Sequence, residues 1–177
     1  MFKKYIKKAG FVFLEILIAT TIITVVFTVL LGIGFSAINI SSSIKKQTQA
    51  DFLAKEELEA LRSYRDGTTW ASTGPPTGLG AVTFTDSNDI NPYYYYLFVD
   101  TSASPPKWNM ASGKETTGIY TRYVVFYKVS RDPTTNYIQN DYIESNRDFD
   151  TVKVKITVSW LDKISRVFAY LTNWQNK

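Results

Sequence analysis

The chain has 177 residues, of which 45 % are hydrophobic and 20 % charged, values that suit one folded domain with an appendage. It contains neither cysteine nor histidine, which excludes disulfides, thiolate metal sites and histidine-based acid–base catalysis. Its formal net charge of +4 arises entirely within the first ten residues, so we expect no nucleic-acid partner for the neutral remainder.

The first ten residues form a short basic segment without any acidic side chain. Beyond this segment the chain carries 16 basic side chains (20 minus 4) and 16 acidic ones. Positive charge just before an apolar run predicts that this end stays in the cytoplasm and that the later residues lie across the membrane. The basic side chains are those of Lys3, Lys4, Lys7 and Lys8.

Residues 11–40 form an apolar run with one ionisable side chain, Glu15. About 20 apolar residues in a helix span the hydrocarbon core of a bilayer, so the run predicts a transmembrane helix. Three interpretations are open: a cleaved secretory signal peptide, a plain signal anchor, and a helix in which Glu15 has a function. The run is about twice as long as the core of a signal peptide. A carboxylate within a membrane helix costs about 2.5–3.5 kcal/mol, which favours the third interpretation.

Glu15 lies five residues beyond Gly10, the glycine that ends the basic segment. Residues 10–15 read Gly-Phe-Val-Phe-Leu-Glu and resemble the signature of the type IV prepilin family. In that family a basic leader is followed by Gly-Phe-Thr-Leu-Ile-Glu and an apolar helix. Val12 and Phe13 depart from the commoner Thr-Leu, and Gly32 and Gly34 stand where many pilins have a proline. The resemblance covers chiefly residues 1–65.

The resemblance implies that a membrane prepilin peptidase cuts between Gly10 and Phe11 and that the new amino terminus of Phe11 is methylated. It also implies that Glu15 attracts the terminal amine of a neighbouring subunit during assembly, and opposite charges in lipid do gain by pairing. The implied partners are the prepilin peptidase and methyltransferase, other pilin or pseudopilin subunits, and the membrane. We expect no cofactor.

Residues 41–66 are predicted to continue the helix in amphipathic form. Apolar side chains at Ala50, Ala54, Leu58 and Leu61 follow steps of four, four and three, and Asp66-Gly67 provides a stop signal. The opposite surface is assigned to charged residues, namely Lys46, Asp51, Lys55, Glu56, Glu59 and Arg62.

Residues 67–177 alternate between loops rich in Ser, Pro and Gly and runs rich in Tyr, Val, Phe, Ile and Thr. The clearest strand is residues 151–160, where apolar and polar side chains alternate. A turn at 161–164 and a returning strand at 166–174 predict a hairpin. Further strands are predicted at 94–99 and 120–130, with a weaker candidate at 81–85, whereas 101–114 is predicted to be a loop.

These elements predict an α+β fold in which a long amino-terminal helix packs on an antiparallel sheet of about four strands. The predicted segments are a leader (1–10), a transmembrane helix (11–40), an amphipathic helix (41–66) and a β head (67–177). The resemblance implies the same architecture, with the head outside the cytoplasmic membrane.

Two features of the head have ordinary structural explanations. In a strand, Tyr93–Tyr96 place alternate rings on opposite faces, so we expect two to pack and two to form amphipathic surface. The Asp and Asn side chains of residues 86–91 could be calcium ligands, but their spacing matches no calcium loop and such residues are common in turns. We therefore predict no metal site.

The predicted function is a non-catalytic structural subunit, either a minor pilin or a pseudopilin, of a type IV pilus-like or type II secretion filament. The alternative is a signal-anchored binding module outside the cytoplasm that does not polymerise. The alternative predicts that the leader stays attached and that Glu15→Ala has little effect. No motif indicates an enzyme.

Overall fold

A computed structural model describes residues 3–68, 70, 78–79, 82–85 and 91–173, with the side chains described from residue 11 onward. Contacts divide the chain into two compact units, Met1–Lys46 and Gln47–Lys177. The described part of the first unit is helix alone, and the second unit holds the end of that helix and a β-sheet.

One α-helix, α1, runs from Lys3 to Gly67. No proline occurs in this range, so no backbone N–H is missing from the helical ladder, and Gly32 and Gly34 do not interrupt it. The predicted stop at Asp66-Gly67 is where the helix ends. There, the Thr68 hydroxyl donates a hydrogen bond of 2.7 Å to the carbonyl of Tyr64, which satisfies one acceptor of the last turn.

The sheet has six antiparallel strands in the order β2-β1-β4-β5-β6, and β3 also pairs with β4. Register is set along β4, where Tyr95 lies opposite Val124 and Ile156 lies opposite the same residue on the other side. The strands are β1 (Tyr95–Asp100), β2 (Lys107–Ser112), β3 (Glu115–Thr117), β4 (Tyr120–Ser130), β5 (Arg147–Trp160) and β6 (Lys163–Thr172).

The core of the second unit lies between one face of the sheet and the end of α1. Alternation along β4 and β5 points every second side chain inward, and Phe126 and Ile156 are completely buried. Ala50 and Ala54 of α1 belong to the same cluster, and their small side chains let the helix approach the sheet closely. Ser165 of β6 donates a hydrogen bond of 2.8 Å to Asp51, so the helix also contacts the sheet through polar groups.

The α+β class is confirmed, and the strand count is corrected from about four to six. β2 and β3 lie within or just beyond the predicted loop at 101–114. Both are short and mixed in polarity, so tertiary pairing rather than local pattern makes them strands. The weak candidate at 81–85 gives only an isolated parallel bridge between Thr85 and Tyr127 in its described part. The hairpin turn is shorter than predicted, because β6 already begins at Lys163.

Candidate functional site: the amino-terminal helix and a buried ion cluster

The apolar part of α1 exposes its side chains around the whole helix. From Phe11 to Ile40 every residue is exposed, and Phe11, Phe27 and Phe35 have 75, 62 and 67 % of their surface accessible. In the described part of the chain this is the one helix long and apolar enough to cross a membrane. Water is a poor solvent for such a surface, so the first unit needs lipid or other apolar helices around it.

Threonine hydroxyls in this helix are satisfied within the helix itself. Thr21 and Thr20 donate to the carbonyl of Leu17 at 2.7 and 3.0 Å, and Thr24 and Thr28 each donate to the carbonyl four residues earlier at 2.8 Å. In hydrocarbon a hydroxyl has no water to bond, and this back-bonding removes the need for it. The threonines therefore do not oppose insertion.

The predicted processing residues lie inside the same helix. Gly10 and Phe11 are consecutive residues of α1, and the basic residues predicted as the leader charge also lie in its first turns. Glu15 is exposed and makes no ion pair with any side chain that the structure describes. Among the described residues, the carboxylate near the beginning of the apolar helix therefore has no ion-pair partner. Cleavage after Gly10 stays a prediction.

Toward residue 40, two glycines leave the surface of this helix without side chains. A methyl group added at Gly32 or Gly34 would meet no atom within 4 Å, so both positions are open. Gly32 continues a row of small side chains that recurs every fourth residue, namely Thr20, Thr24, Thr28, Gly32 and Ser36. Small residues at this spacing let two membrane helices approach closely.

In the second unit, a glutamate is buried beneath the sheet. Glu57 of α1 has none of its surface exposed, and its Oε1 accepts a hydrogen bond of 3.0 Å from the backbone N–H of Leu97 in β1. Its Oε2 lies 3.2 Å from Nε of Arg122 in β4. The guanidinium of Arg122 also contacts Glu115 and lies 3.4 Å from Glu56, so one cation faces three carboxylates.

Burial raises the pKa of Glu57 from 4.5 to about 7, although Arg122 and the N–H of Leu97 act in the opposite direction. The contact with Arg122 lacks hydrogen-bond geometry, since Glu57 Oε2 and Arg122 Nη1 have no hydrogen-bond partner among the described residues. The pair is therefore a partly compensated buried charge. Glu57 is buried and its two oxygens contact β1 and β4, so this carboxyl joins α1 to both strands.

Glu57 is not singled out by the sequence, because its neighbours Glu56 and Glu59 are typical of a solvated helix surface. Apart from Ala60, the buried residues of α1 follow steps of four, three, four and three, at Ala50, Ala54, Glu57, Leu61 and Tyr64. Leu58, predicted to face the core, is only partly buried. The signal was present: Glu57 occupies an apolar position of a regular helical stripe.

The remaining candidates give no site. No cluster of three or more carboxylates suited to a metal occurs among the described residues. Of the Asp and Asn residues at 86–91, for which no calcium site was predicted, only Asn91 is described, and the others lie outside the described residues. Tyr95 packs edge-on against Phe126 on the helix side, whereas Tyr94 contacts Tyr123. The tyrosines therefore alternate between the two faces of the sheet.

Comparisons of the chain with protein-family models, curated proteins and solved structures found no match.

Proposed function

We propose that this protein is a non-catalytic, membrane-anchored filament subunit of the type IV pilin or pseudopilin kind. The observation that carries the proposal is the order of features along one helix. A basic segment ends at Gly10, Phe11 follows, and Glu15 has no ion-pair partner among the described side chains at the start of an exposed apolar helix. The same helix ends by packing on an antiparallel sheet.

A filament subunit would have its apolar helix in two surroundings, the membrane before assembly and the helices of other subunits after it. As a monomer the first unit needs lipid around its apolar surface, and in a filament the helices of other subunits would provide the same cover. The open glycines and the row of small residues favour close helix–helix contact. Glu15 would pair with the terminal amine of the next subunit, which neutralises both charges in a medium where an isolated charge is costly.

The deciding experiment is amino-terminal sequencing and intact mass of the protein from its native membrane, with a strain lacking prepilin peptidase as the control. We expect a mature chain that begins at Phe11 and carries one added methyl group, and a chain that keeps Met1 in the control strain. Retention of Met1 in both strains, or cleavage beyond the apolar helix, would refute the proposal and favour the anchored binding module.

A second experiment separates processing from assembly. We expect Glu15→Ala to leave cleavage after Gly10 intact but to abolish cross-linking between subunits through their amino-terminal helices. Thr21→Ala is the matched control, because its hydroxyl is satisfied within its own helix and should not take part in assembly. Equal cross-linking in both variants would show that Glu15 has no role in assembly.

A further inference from the structure

The sheet has a second face, which is turned away from the helix and carries aromatic and basic side chains. In β6, Val167, Ala169 and Leu171 pack toward the core, so Phe168 and Tyr170 lie on the opposite face. They have 57 and 48 % of their surface exposed. In β5 the same alternation puts Lys153 and Lys155 on this face, because Val152, Val154 and Ile156 are buried.

These four side chains form a repeat across the two strands. Lys153 is directly opposite Tyr170, and Lys155 is directly opposite Phe168. Within each strand the two side chains of the repeat are two positions apart, a distance of about 6.8 Å along the strand. The face thus presents two adjacent pairs, each made of one cation and one aromatic ring, repeated along the strand direction. A polymer that carries one anionic group and one flat ring in each unit would be complementary to this face, with its anions at the lysines and its rings on the aromatic side chains.

The cations of this repeat are not neutralised by any residue that the structure describes. Neither Lys153 nor Lys155 forms an ion pair with any carboxylate that the structure describes. Their ammonium groups lie instead 5.7 Å from the ring centre of Phe168 and 5.1 Å from that of Tyr127. The carboxylates of α1 lie near the other side of the sheet, around Arg122. A neutral total charge over residues 11–177 therefore does not describe this face.

A cleft of about 280 Å³ adjoins the repeat, and no acidic residue lines it. Its wall is the loop after β4, which is fixed because Gln139 N–H donates to the carbonyl of Ser130 at 2.9 Å and Ile143 N–H donates to the Ser130 hydroxyl at 3.1 Å. The side-chain oxygen of Gln139 is buried there without a hydrogen-bond partner among the described residues. Because this oxygen is inaccessible, contacts with a ligand in the cleft would come from the exposed rings and lysines of the repeat.

We propose that this face binds single-stranded nucleic acid, with bases stacked on Phe168 and Tyr170 and phosphates at Lys153 and Lys155. Aromatic rings on a sheet beside unpaired cations are the elements by which single strands are bound without sequence preference. The proposal does not depend on cleavage or polymerisation, since the face belongs to the second unit. Its failure would leave the proposed function untouched.

The test measures fluorescence anisotropy of a labelled oligothymidine of about 12 nucleotides with the full-length protein in nanodiscs of neutral lipid. For the Lys153→Gln/Lys155→Gln double variant, we expect the slope of log affinity against log salt to fall by about 1.4, because each lost phosphate contact of a single strand contributes about 0.7. The leader lysines are present in every variant, so the difference between proteins reports this face.

Phe168→Leu and Tyr170→Leu should each weaken binding about tenfold without changing the salt slope, as expected for the loss of one stacked base. Tyr170→Phe keeps the ring and should bind like the unaltered protein, which separates the ring from the hydroxyl. Unchanged thermal midpoints for the two leucine variants show that they fold. Lys107→Gln and Tyr93→Leu alter exposed residues outside the repeat and should leave binding unchanged.

Three results would overturn the proposal. The first is no binding by the unaltered protein at low salt with protein at about 100 μM, the weak end of non-specific binding. The second is leucine variants that bind as tightly as the unaltered protein, because the contact would then be electrostatic alone. The third is an acidic polysaccharide that competes as well as the oligonucleotide and depends on the same rings, which would make that polymer the partner.

Discussion

Replacing Glu57 with glutamine is expected to remove a large pH dependence from the stability of the second unit. The folded protein holds this carboxyl away from water, where its pKa is about 7, whereas the unburied value is 4.5. Between these two values the folded chain keeps a proton that the unfolded chain has released. The free energy of unfolding therefore falls as pH rises through this window, and it levels off above it.

The size of this effect follows from the two pKa values. Their difference of about 2.5 (7 minus 4.5), at about 1.4 kcal/mol per unit, gives about 3.5 kcal/mol, of which about 3 kcal/mol falls between about pH 4.5 and about pH 8. That is a large part of the roughly 5–15 kcal/mol that stabilises a typical domain. Carboxylates such as Asp132, whose pKa is lowered by backbone N–H groups of Thr135 and Thr134, act in the opposite direction. Their contribution is lost only below their usual value of 3.8, so the two windows are separate.

The assay is urea unfolding of the full-length protein in detergent at about pH 4.5 and about pH 8, followed by tryptophan fluorescence, to which the buried Trp160 contributes. We expect the unaltered protein to lose about 3 kcal/mol more than Glu57→Gln over this range. Glu59→Gln is the matched control, since it makes the same change in the same helix at a side chain that is 68 % exposed. If Glu57→Gln and the unaltered protein lose the same amount, Glu57 does not titrate in this window and the reasoning is refuted.

Three further changes test the packing of the second unit. Arg122→Met removes the cation beside buried Glu57 and should lower the free energy of unfolding in urea by about 3–5 kcal/mol at about pH 8. The loss should be smaller at about pH 5, because Glu57 is protonated there, and equal losses at the two pH values would contradict the pairing. Phe126→Ala should cost about 3–5 kcal/mol, seen as a lower thermal midpoint, whereas Phe149→Ala at a 69 % exposed site should change stability by less than about 0.5 kcal/mol. Gly118→Ala should cost about 1–2 kcal/mol in the same measurement because of its φ of 62°, although its surroundings are open; an unchanged midpoint would show that the turn relaxes.

The parts of the fold that local pattern dictates were predictable from the sequence. The stop at Asp66-Gly67 and the alternation of residues 151–160 located the end of α1 and most of β5. β2 escaped prediction because Trp108 and Met110 alternate weakly with polar residues inside a Ser/Pro-rich stretch. Its strand character comes from six paired positions along β1, a contact between residues that the local sequence does not encode.

The candidate sites divide in the same way. The Gly10-Phe11 and Glu15 constellation is contiguous in sequence, so it could be recognised without a structure. The buried contact of Glu57 with Arg122 joins residues of α1 and β4, and the repeat of lysines and rings joins β5 to β6. Both depend on strand register, because a shift by one residue would turn Arg122, or the lysines and rings of the repeat, to the other face of the sheet.

The burial of Glu57 has a physical explanation in the composition of the stripe around it. Ala50, Ala54 and Ala60 contact the sheet with small, similar surfaces, so apolar packing alone distinguishes poorly between neighbouring positions of the helix along the strands. Glu57 restricts the choice, since its Oε1 must meet the Leu97 N–H and its Oε2 must lie beside Arg122. A displaced helix would bury both charges without partners, at a cost of several kcal/mol. We infer that the Glu57 carboxylate lowers the free energy of unfolding at neutral pH but fixes the position of α1 on the sheet. Glu57→Gln should therefore be more stable than the unaltered protein at about pH 8 if the amide keeps the contact with Leu97, and less stable if it loses that contact.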